Sequence, residues 1–484
     1  MEHINYEQLG FKCWLEIHQQ LEGKKLFCNC LTLNSDKEPD IKVERKLRAV
    51  AGETGEIDVA AQHEMSKNRK FIYESNSEGT CLVEYDEEPP HLLNSEALET
   101  ALKIALLLNA KIVDEIQVMR KTVIDGSNVS GFQRTALIAM DGNLESSLGK
   151  ITIPTICIEE EAAQKLEEGK GFVRYRLDRL GIPLIEIATG TEIKNPEHAK
   201  EVASHIGMVL RSVEGIKRGL GTIRQDVNIS IKEGARTEVK GFQDLRSIPK
   251  VIEYEVKRQL DAIKQGKKLS KEVRKAEPDF TTSFLRPLPG AARLYPETDV
   301  LPANIPKSYL EKLKKQLPKL IAHKIGDFEK KYRLPHQLAK ELVENESFGA
   351  LTKKFKKIEP LTIANTLITI PKEIKTRFDL DSSNLDDKDF EEVLKHLNEG
   401  KISKEAVIEL LIKKIKNEKI DLSHFESVSD EELEKDIKKI IHEKPNLNKG
   451  AYMGLVMSKY RGKVEGKKIM ELLKKHVKNH NLQN

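Results

Sequence analysis

The chain has 484 residues and a mass of 55.0 kDa, 39% apolar and 33% charged, with a formal net charge of +4. That balance excludes a disordered tail, a fibrous repeat and a disulfide-stapled miniprotein, and leaves room for about two to four domains with cores of their own. No apolar run approaches the ~18 residues that cross a bilayer, and residues 1–20 are polar throughout where a signal peptide would be apolar, so a cytoplasmic protein with no membrane role is expected.

Apolar and polar residues alternate in Leu15-Glu16-Ile17-His18-Gln19-Gln20, which predicts a half-buried strand with Glu16 and His18 on one face. A carboxylate and an imidazole about 7 Å apart can share a cation or a proton, although the pair alone fits a polar strand edge as readily. Gly23-Lys24-Lys25 then predicts a turn and Leu26 to Leu31 a return strand, completing a hairpin. Cys28-Asn29-Cys30 is half of a zinc-type donor set, but no second close Cys or His pair follows to complete it. The five cysteines, Cys13, Cys28, Cys30, Cys81 and Cys157, are an odd set that fits a reducing compartment better than a disulfide framework. Ser95 is the expected N-cap of a helix running to about Asn109.

Between Asp125 and Thr135, Gly126 and Gly131 have the spacing of a phosphate loop, but Phe132 and Gln133 stand where that motif needs Lys and Ser or Thr. The stretch reads either as a surface loop or as a turn offering backbone N–H groups, Ser127 and Asn128 to phosphates, with Arg134 as counter-charge. Three later segments repeat the opening pattern. Cys157-Ile158-Glu159-Glu160-Glu161 ends an apolar strand in carboxylates, Leu184-Ile185-Glu186-Ile187 sets one Glu in an aliphatic run, and Asp226-Val227-Asn228-Ile229-Ser230 alternates cleanly. Read singly, each is a solvated strand face or a capping acid; together they are four strands bearing oxygen or imidazole ligands. Such a set suits Mg²⁺ or Mn²⁺ better than zinc, and phosphoryl transfer from ATP is a common use of it. Arg218, Arg224 and Lys240 supply positive charge for phosphates, with Gly219-Leu220-Gly221-Thr222 as a flexible turn.

A helix is expected from Ile248 to Gln265, and Arg286 to Asp299 is too rich in Pro and Gly for a helix or a central strand. It reads as an extended loop able to carry Arg293, Glu297 and Asp299 back toward the site. From Pro306 the pattern is helical, with Leu310, Leu313, Leu317 and Leu320 as one stripe. Asn448 is the expected cap of one terminal helix, and a second starts near Gly466. From Lys444 onward ten Lys or Arg face two Glu, a local net of +8 that leaves −4 for the rest. Arg461, Lys463, Lys467 and Lys468 form a cluster suited to a nucleic-acid backbone, or else a solvated Lys-rich helix.

These stretches taken together, from Leu15-Glu16-Ile17-His18 through Pro183-Leu184-Ile185-Glu186-Ile187 and Gly219 to Ser230 to the Arg286–Asp299 segment, resemble the GatB/GatE family, most nearly its archaeal GatE branch. The resemblance covers nearly the whole chain. It implies an α+β protein: an antiparallel-sheet cradle domain over residues 1–300, an all-α helical domain over 301–408, and a small helical YqeY-like tail over 409–484 that binds tRNA. It implies a carbon–nitrogen ligase that uses ATP and Mg²⁺ to phosphorylate the Glu side chain of mischarged Glu-tRNA(Gln) and forms Gln-tRNA(Gln) with ammonia from a partner. For the GatE branch that partner is a GatD-like asparaginase-type amidase, in a heterotetramer. Carried over by position, Glu16, His18, Glu159 and Glu186 match the family's metal ligands and Asp226 the acid on the neighbouring strand. From their own chemistry Ser127, Asn128, Arg224 and Lys240 are expected to hold the nucleotide, and the basic cluster of Arg461, Lys463, Lys467 and Lys468 fits the tRNA-binding role of the tail. Two alternatives stay open: a GatB-like subunit acting also on Asp-tRNA(Asn), and a non-catalytic tRNA-binding scaffold of the same fold. The chain departs from the branch in having only a short connector, from about Gln265 to Asp279, where an aspartyl-tRNA-synthetase-like insertion usually stands. The second Cys pair of zinc-bearing members is missing, so no structural zinc is expected, and Cys13-Trp14 stands where the family tends to have small residues.

Overall fold

A computed structural model describes residues 4–33, 37–49, 51, 55–57, 59–242, 244–288, 294–343, 345–416, 418, 430–445, 447–460 and 466–477. The fold is α+β, rich in sheet toward the N-terminus and helical toward the C-terminus, and the chain forms two compact units, Met1–Leu320 and Ile321–Asn484.

The first unit is built on an 11-stranded sheet, and the strand Lys12–Gln20 runs through its middle. Cys13, Leu15 and Ile17 are fully buried while Trp14, Glu16 and His18 between them are not, which is the alternation the sequence predicts. This strand pairs antiparallel with Pro183–Ala188 on one side and Ile223–Ser230 on the other. Pro183–Ala188 pairs in turn with Gly149–Glu160, and Ile223–Ser230 with Thr237–Phe242. Most pairings are antiparallel; Thr237–Phe242 meets Glu272–Ala276 in parallel. Register is fixed by the apolar face, because a slip of one residue would turn every aliphatic side chain to the wrong side. It sets His18 opposite both Glu186 and Arg224, and Glu16 opposite Asp226.

Behind the sheet lie the helices Ser95–Leu107, Pro196–Arg211 and Ser247–Lys264. Their Leu102, Ile206 and Ile252 join Leu15, Ile17, Ile187 and Val227 in one buried core. Each such side chain contributes about 1.5–3 kcal/mol of burial, so the sheet is held from one face and the other is left for polar groups. The first helix is capped one residue earlier than expected: Asn94 Oδ1 accepts from the backbone N–H groups of Glu96 and Ala97 at 3.0 and 3.1 Å. Asn195 caps the second in the same way, with Pro196 at the first turn.

Two local expectations are corrected. Leu26 to Leu31 is not a return strand, and only a single bridge, Lys24 to Leu31, closes the turn. Leu26, Phe27 and Cys28 are buried in succession without alternation, and their backbone is used elsewhere: Leu26 N–H donates to Gly181 O, while His91 N–H donates to Phe27 O. Long-range strands with matching apolar faces take both edges of Lys12–Gln20 instead. The stripe from Leu310 to Leu320 is not one helix either; the helix Lys307–Lys315 stops ahead of Pro318, and Ile321–Tyr332 starts anew.

In the second unit, helices from Ile321–Tyr332 to Ala406–Ile415 share a core that includes Phe348, Ile363, Leu394 and Leu410. A separate small core, with Leu433, Tyr452, Val456 and Leu473, joins Asp430–Glu443, Lys449–Tyr460 and Gly466–His476. Asn448 caps Lys449–Tyr460 as expected, its Oδ1 accepting from Ala451 N–H at 2.8 Å. Among the described residues no helix is long and apolar enough to cross a membrane.

Candidate active site

The uncovered face of the sheet opens into a cavity of about 580 Å³ whose walls carry Glu16, His18, Glu159, Glu186, Arg224, Asp226 and Lys240, with Ser127 and Asn128 at one edge. These residues singled out for the cradle are therefore brought together, whereas Arg218 does not line the cavity. They do not form one cluster. His18 Nε2 lies 3.3 Å from Glu186 and 3.7 Å from Glu159, and one ligand atom from each of the three falls within 4.8 Å of the others. Glu16 belongs to a second group, with Asp226 and Glu238 at the same spacing.

Each group already contains a lysine. Lys121 Nζ donates to Glu159 at 2.8 Å and stands 3.9 Å from Glu186; Lys240 Nζ is 2.6 Å from Asp226 and 2.5 Å from Glu238. Their effect shows in the titration of the acids. Burial works against ionised Glu186, but the Lys121 charge and the hydrogen bond from His18 hold it well below the usual carboxylate range. Burial also opposes a charged His18, yet its hydrogen bond to Glu186 and the charges of Glu186 and Glu159 lift it to about 9. Glu16 is pushed up to about 7 by burial and by the charges of Glu238 and Glu186. Burial would lower Lys240, but Asp226, Glu238 and Glu16 raise it far above its ordinary value.

An imidazole and two carboxylates on adjacent strands, with a 12% exposed His18 and a 3% exposed Glu159, are a donor set that fits Mg²⁺ or Mn²⁺; binding there would displace the imidazole proton. At the cavity edge Arg224 donates to Glu161 at 2.8 Å, and Ser127 N–H and Oγ both donate to Asp125. Asn128 is 2% exposed, and its Nδ2 has no hydrogen-bond partner among the described residues.

Sequence reading missed Lys121, Glu238 and Arg236. Glu238 and Lys240 alternate with buried Val239 in Thr237–Phe242, a signal of the same kind as in the opening strand; Lys121 sits in a five-residue strand too short to stand out. Glu297 and Asp299 do turn back, but toward Arg120 and Arg134 beside the cavity. Arg293, Arg461 and Lys463 lie outside the described residues, as does the side chain of Lys467.

A second donor set lies outside the cradle. Nothing in the sequence completes Cys28 and Cys30 locally, yet the turn at residues 81–84 brings Cys81 and Glu84 to them, with one ligand atom from each of the four within 4.8 Å. Cys28 Sγ donates to Glu84 at 2.9 Å, and the fully buried Lys25 stands 3.2 Å from the same carboxylate. Soft and hard donors are mixed here, unlike in the cradle.

Residues 11–311 match the GatB/GatE catalytic domain and residues 346–477 the GatB domain. The chain belongs to the GatB/GatE family. Its relatives include the E subunit of the glutamyl-tRNA(Gln) amidotransferase of Methanocaldococcus jannaschii, 39% identical over 98% of this chain and 99% of the relative. The E subunits of the same amidotransferase from Archaeoglobus fulgidus and Saccharolobus solfataricus are 36% and 35% identical over 98% and 99% of this chain, covering 99% and 100% of theirs. The alignment with the first spans 627 positions against 484 residues here, so that GatB/GatE protein carries residues with no counterpart in this chain.

Proposed function

We propose that this chain is the ATP-dependent subunit of a tRNA-linked amidotransferase, which phosphorylates the side-chain carboxylate of Glu-tRNA(Gln) and replaces the phosphate with ammonia. The observation that carries the reading is the joining of His18, Glu159 and Glu186 on three adjacent strands inside the catalytic-domain match. The chemistry needs such a site because a carboxylate has no good leaving group until one oxygen is phosphorylated. Phosphoryl transfer is then mostly a matter of positioning and charge neutralisation.

His18, Glu159 and Glu186 would hold Mg²⁺, which when bound neutralises the phosphate oxygens. Ser127 and Asn128 offer a hydroxyl and an amide at one edge of the cavity, and Arg224 a guanidinium, as a cradle for the nucleotide phosphates. Lys121 pairs with Glu159 and Lys240 with Asp226 and Glu238, so each acid group already holds a positive charge of the chain's own. Arg461, Lys463, Lys467 and Lys468 would meet the outer part of the tRNA. The ammonia comes from a GatD-like asparaginase-type amidase in a heterotetramer, and the whole works in the cytoplasm.

The test is Glu-tRNA(Gln)-dependent ADP release, followed by Gln-tRNA(Gln) formation once the amidase partner is added. Wild type releases ADP only with the charged tRNA, and Glu186→Ala abolishes it. Equal turnover in both would sink the catalytic reading.

A further inference from the structure

Trp14 is the chain's single tryptophan, and it stands on the same strand face as Glu16 and His18. Its ring lies under the guanidinium of Arg236, whose central carbon is 4.8 Å from the ring centroid. Arg236 also donates from Nε to Asn228 Oδ1 at 3.0 Å, and Asn228 in turn donates to Glu16 at 3.0 Å. Stacked on one side and hydrogen-bonded through Nε, the guanidinium plane is fixed, while its terminal nitrogens make no hydrogen bond among the described residues; the acid paired with it, Glu16, is 3.8 Å away. Arg236 lines the cavity with its side chain 38% exposed.

Its place in the cavity tells which oxyanion it meets. Arg224 lies opposite His18 in the register and Asn228 opposite Trp14, so the two guanidiniums belong to ends of the cavity four residues apart along the strand, about 13 Å. In the register Glu16 and Asp226 lie between them, while His18 and Glu186 are level with Arg224. A phosphoryl group is transferred in line, with donor and acceptor on opposite sides. With the nucleotide phosphates at the Arg224, Ser127 and Asn128 end, the acceptor enters from the Arg236 end.

We propose that Arg236 binds the side-chain carboxylate of the aminoacyl acceptor and that Trp14 is the positioning residue that holds it flat for that contact. The inference rests on the amidotransferase reading above. It makes the Trp14–Arg236 pair a determinant of acceptor binding and gives the chain a built-in optical reporter, because a ligand on Arg236 changes the surroundings of its sole indole.

The experiment measures Glu-tRNA(Gln)-dependent ADP release for wild type, Arg236→Gln, Trp14→Ala and Trp14→Phe, with thermal melting to confirm folding. Arg236→Gln is expected to raise KM for Glu-tRNA(Gln) about tenfold or more and Trp14→Ala about fivefold, with KM for ATP within about twofold of wild type. Trp14→Phe, which keeps an aromatic face, restores KM for the charged tRNA. In parallel, Trp14 fluorescence responds to Glu-tRNA(Gln) and not to Mg·ATP or uncharged tRNA. A response to uncharged tRNA or to ATP alone assigns Arg236 to a phosphate and overturns the proposal, as does a rise in KM for ATP instead of for the charged tRNA. An active wild type with unchanged variants overturns this inference alone; a wild type that never responds to Glu-tRNA(Gln) overturns the functional reading as well.

Discussion

Replacing Glu297 by Gln is expected to destabilise the first unit in a strongly pH-dependent way. Glu297 is fully buried and accepts from Arg120 at 2.6 Å, from Arg134 Nε at 2.8 Å and from the backbone N–H of Asp299 at 3.0 Å. Losing one member of a buried ion pair costs about 3–5 kcal/mol. The low end applies here, because Arg120 keeps Asp299 at 3.2 Å and Arg134 keeps Glu160 at 3.3 Å. With an unfolding entropy of about 2.1 cal/mol/K per residue over a unit of this size, a loss of about 3 kcal/mol lowers Tm by roughly 4 °C at neutral pH. Burial alone would raise the Glu297 carboxyl, but hydrogen bonds from Arg120 and the Asp299 backbone and the Arg134 charge hold it below the usual carboxylate range. Its folded value is therefore below its unfolded value of about 4.3, so its stabilisation is complete above that pH and is lost as pH falls through the folded value. Differential scanning calorimetry of wild type and Glu297→Gln should show a gap at neutral pH that closes on acidification. A gap that is absent at neutral pH, or that stays the same in acid, would refute the assignment of a depressed, paired carboxylate.

Asn94→Ala removes the acceptor that caps Ser95–Leu107 and should cost about 1 kcal/mol, read as a shift in the urea midpoint with unchanged slope. Charge reversal of Lys463, Lys467 and Lys468 should weaken tRNA binding and flatten the plot of log affinity against log salt by roughly 2–3 units of slope; an unaltered slope assigns the cluster to solvent. Lys240→Met removes the ammonium that lowers the Glu16 carboxyl, already pushed up to about 7, so the unfolding midpoint should fall at pH 8 relative to wild type and recover on acidification as Glu16 takes up a proton. A midpoint equally low at both pH values would point to lost packing instead of charge.

The cradle was legible in the sequence wherever a strand had one strict polar face. Glu16, His18, Glu186 and Asp226 each interrupt or alternate with aliphatic residues, and burial of those aliphatics decides which way the acids point. Which acids share a group was not legible, because it depends on neighbours more than a hundred residues apart: register puts His18 beside Glu186, and Glu16 beside Asp226. The same limit hid the Cys28 set, whose other members come from a turn with no periodicity. The false hairpin has a related cause: Leu26, Phe27 and Cys28 form an apolar run that suits a strand, but their backbone groups are claimed by Gly181, His91 and Asn94. The Asn448 signal did better, since that side chain caps by its own chemistry whatever lies around it, whereas Pro318, which separates Lys307–Lys315 from Ile321–Tyr332, is hidden inside the leucine stripe.

The proposed function requires that His18, Glu159 and Glu186 hold a hard divalent cation. Crystals grown with an ATP analogue and Mn²⁺ test it through the anomalous signal of the metal. A peak is expected within coordinating distance of His18 Nε2 and of one carboxylate oxygen from each of Glu159 and Glu186. A nucleotide-bound structure whose manganese peak lies away from all three would contradict it.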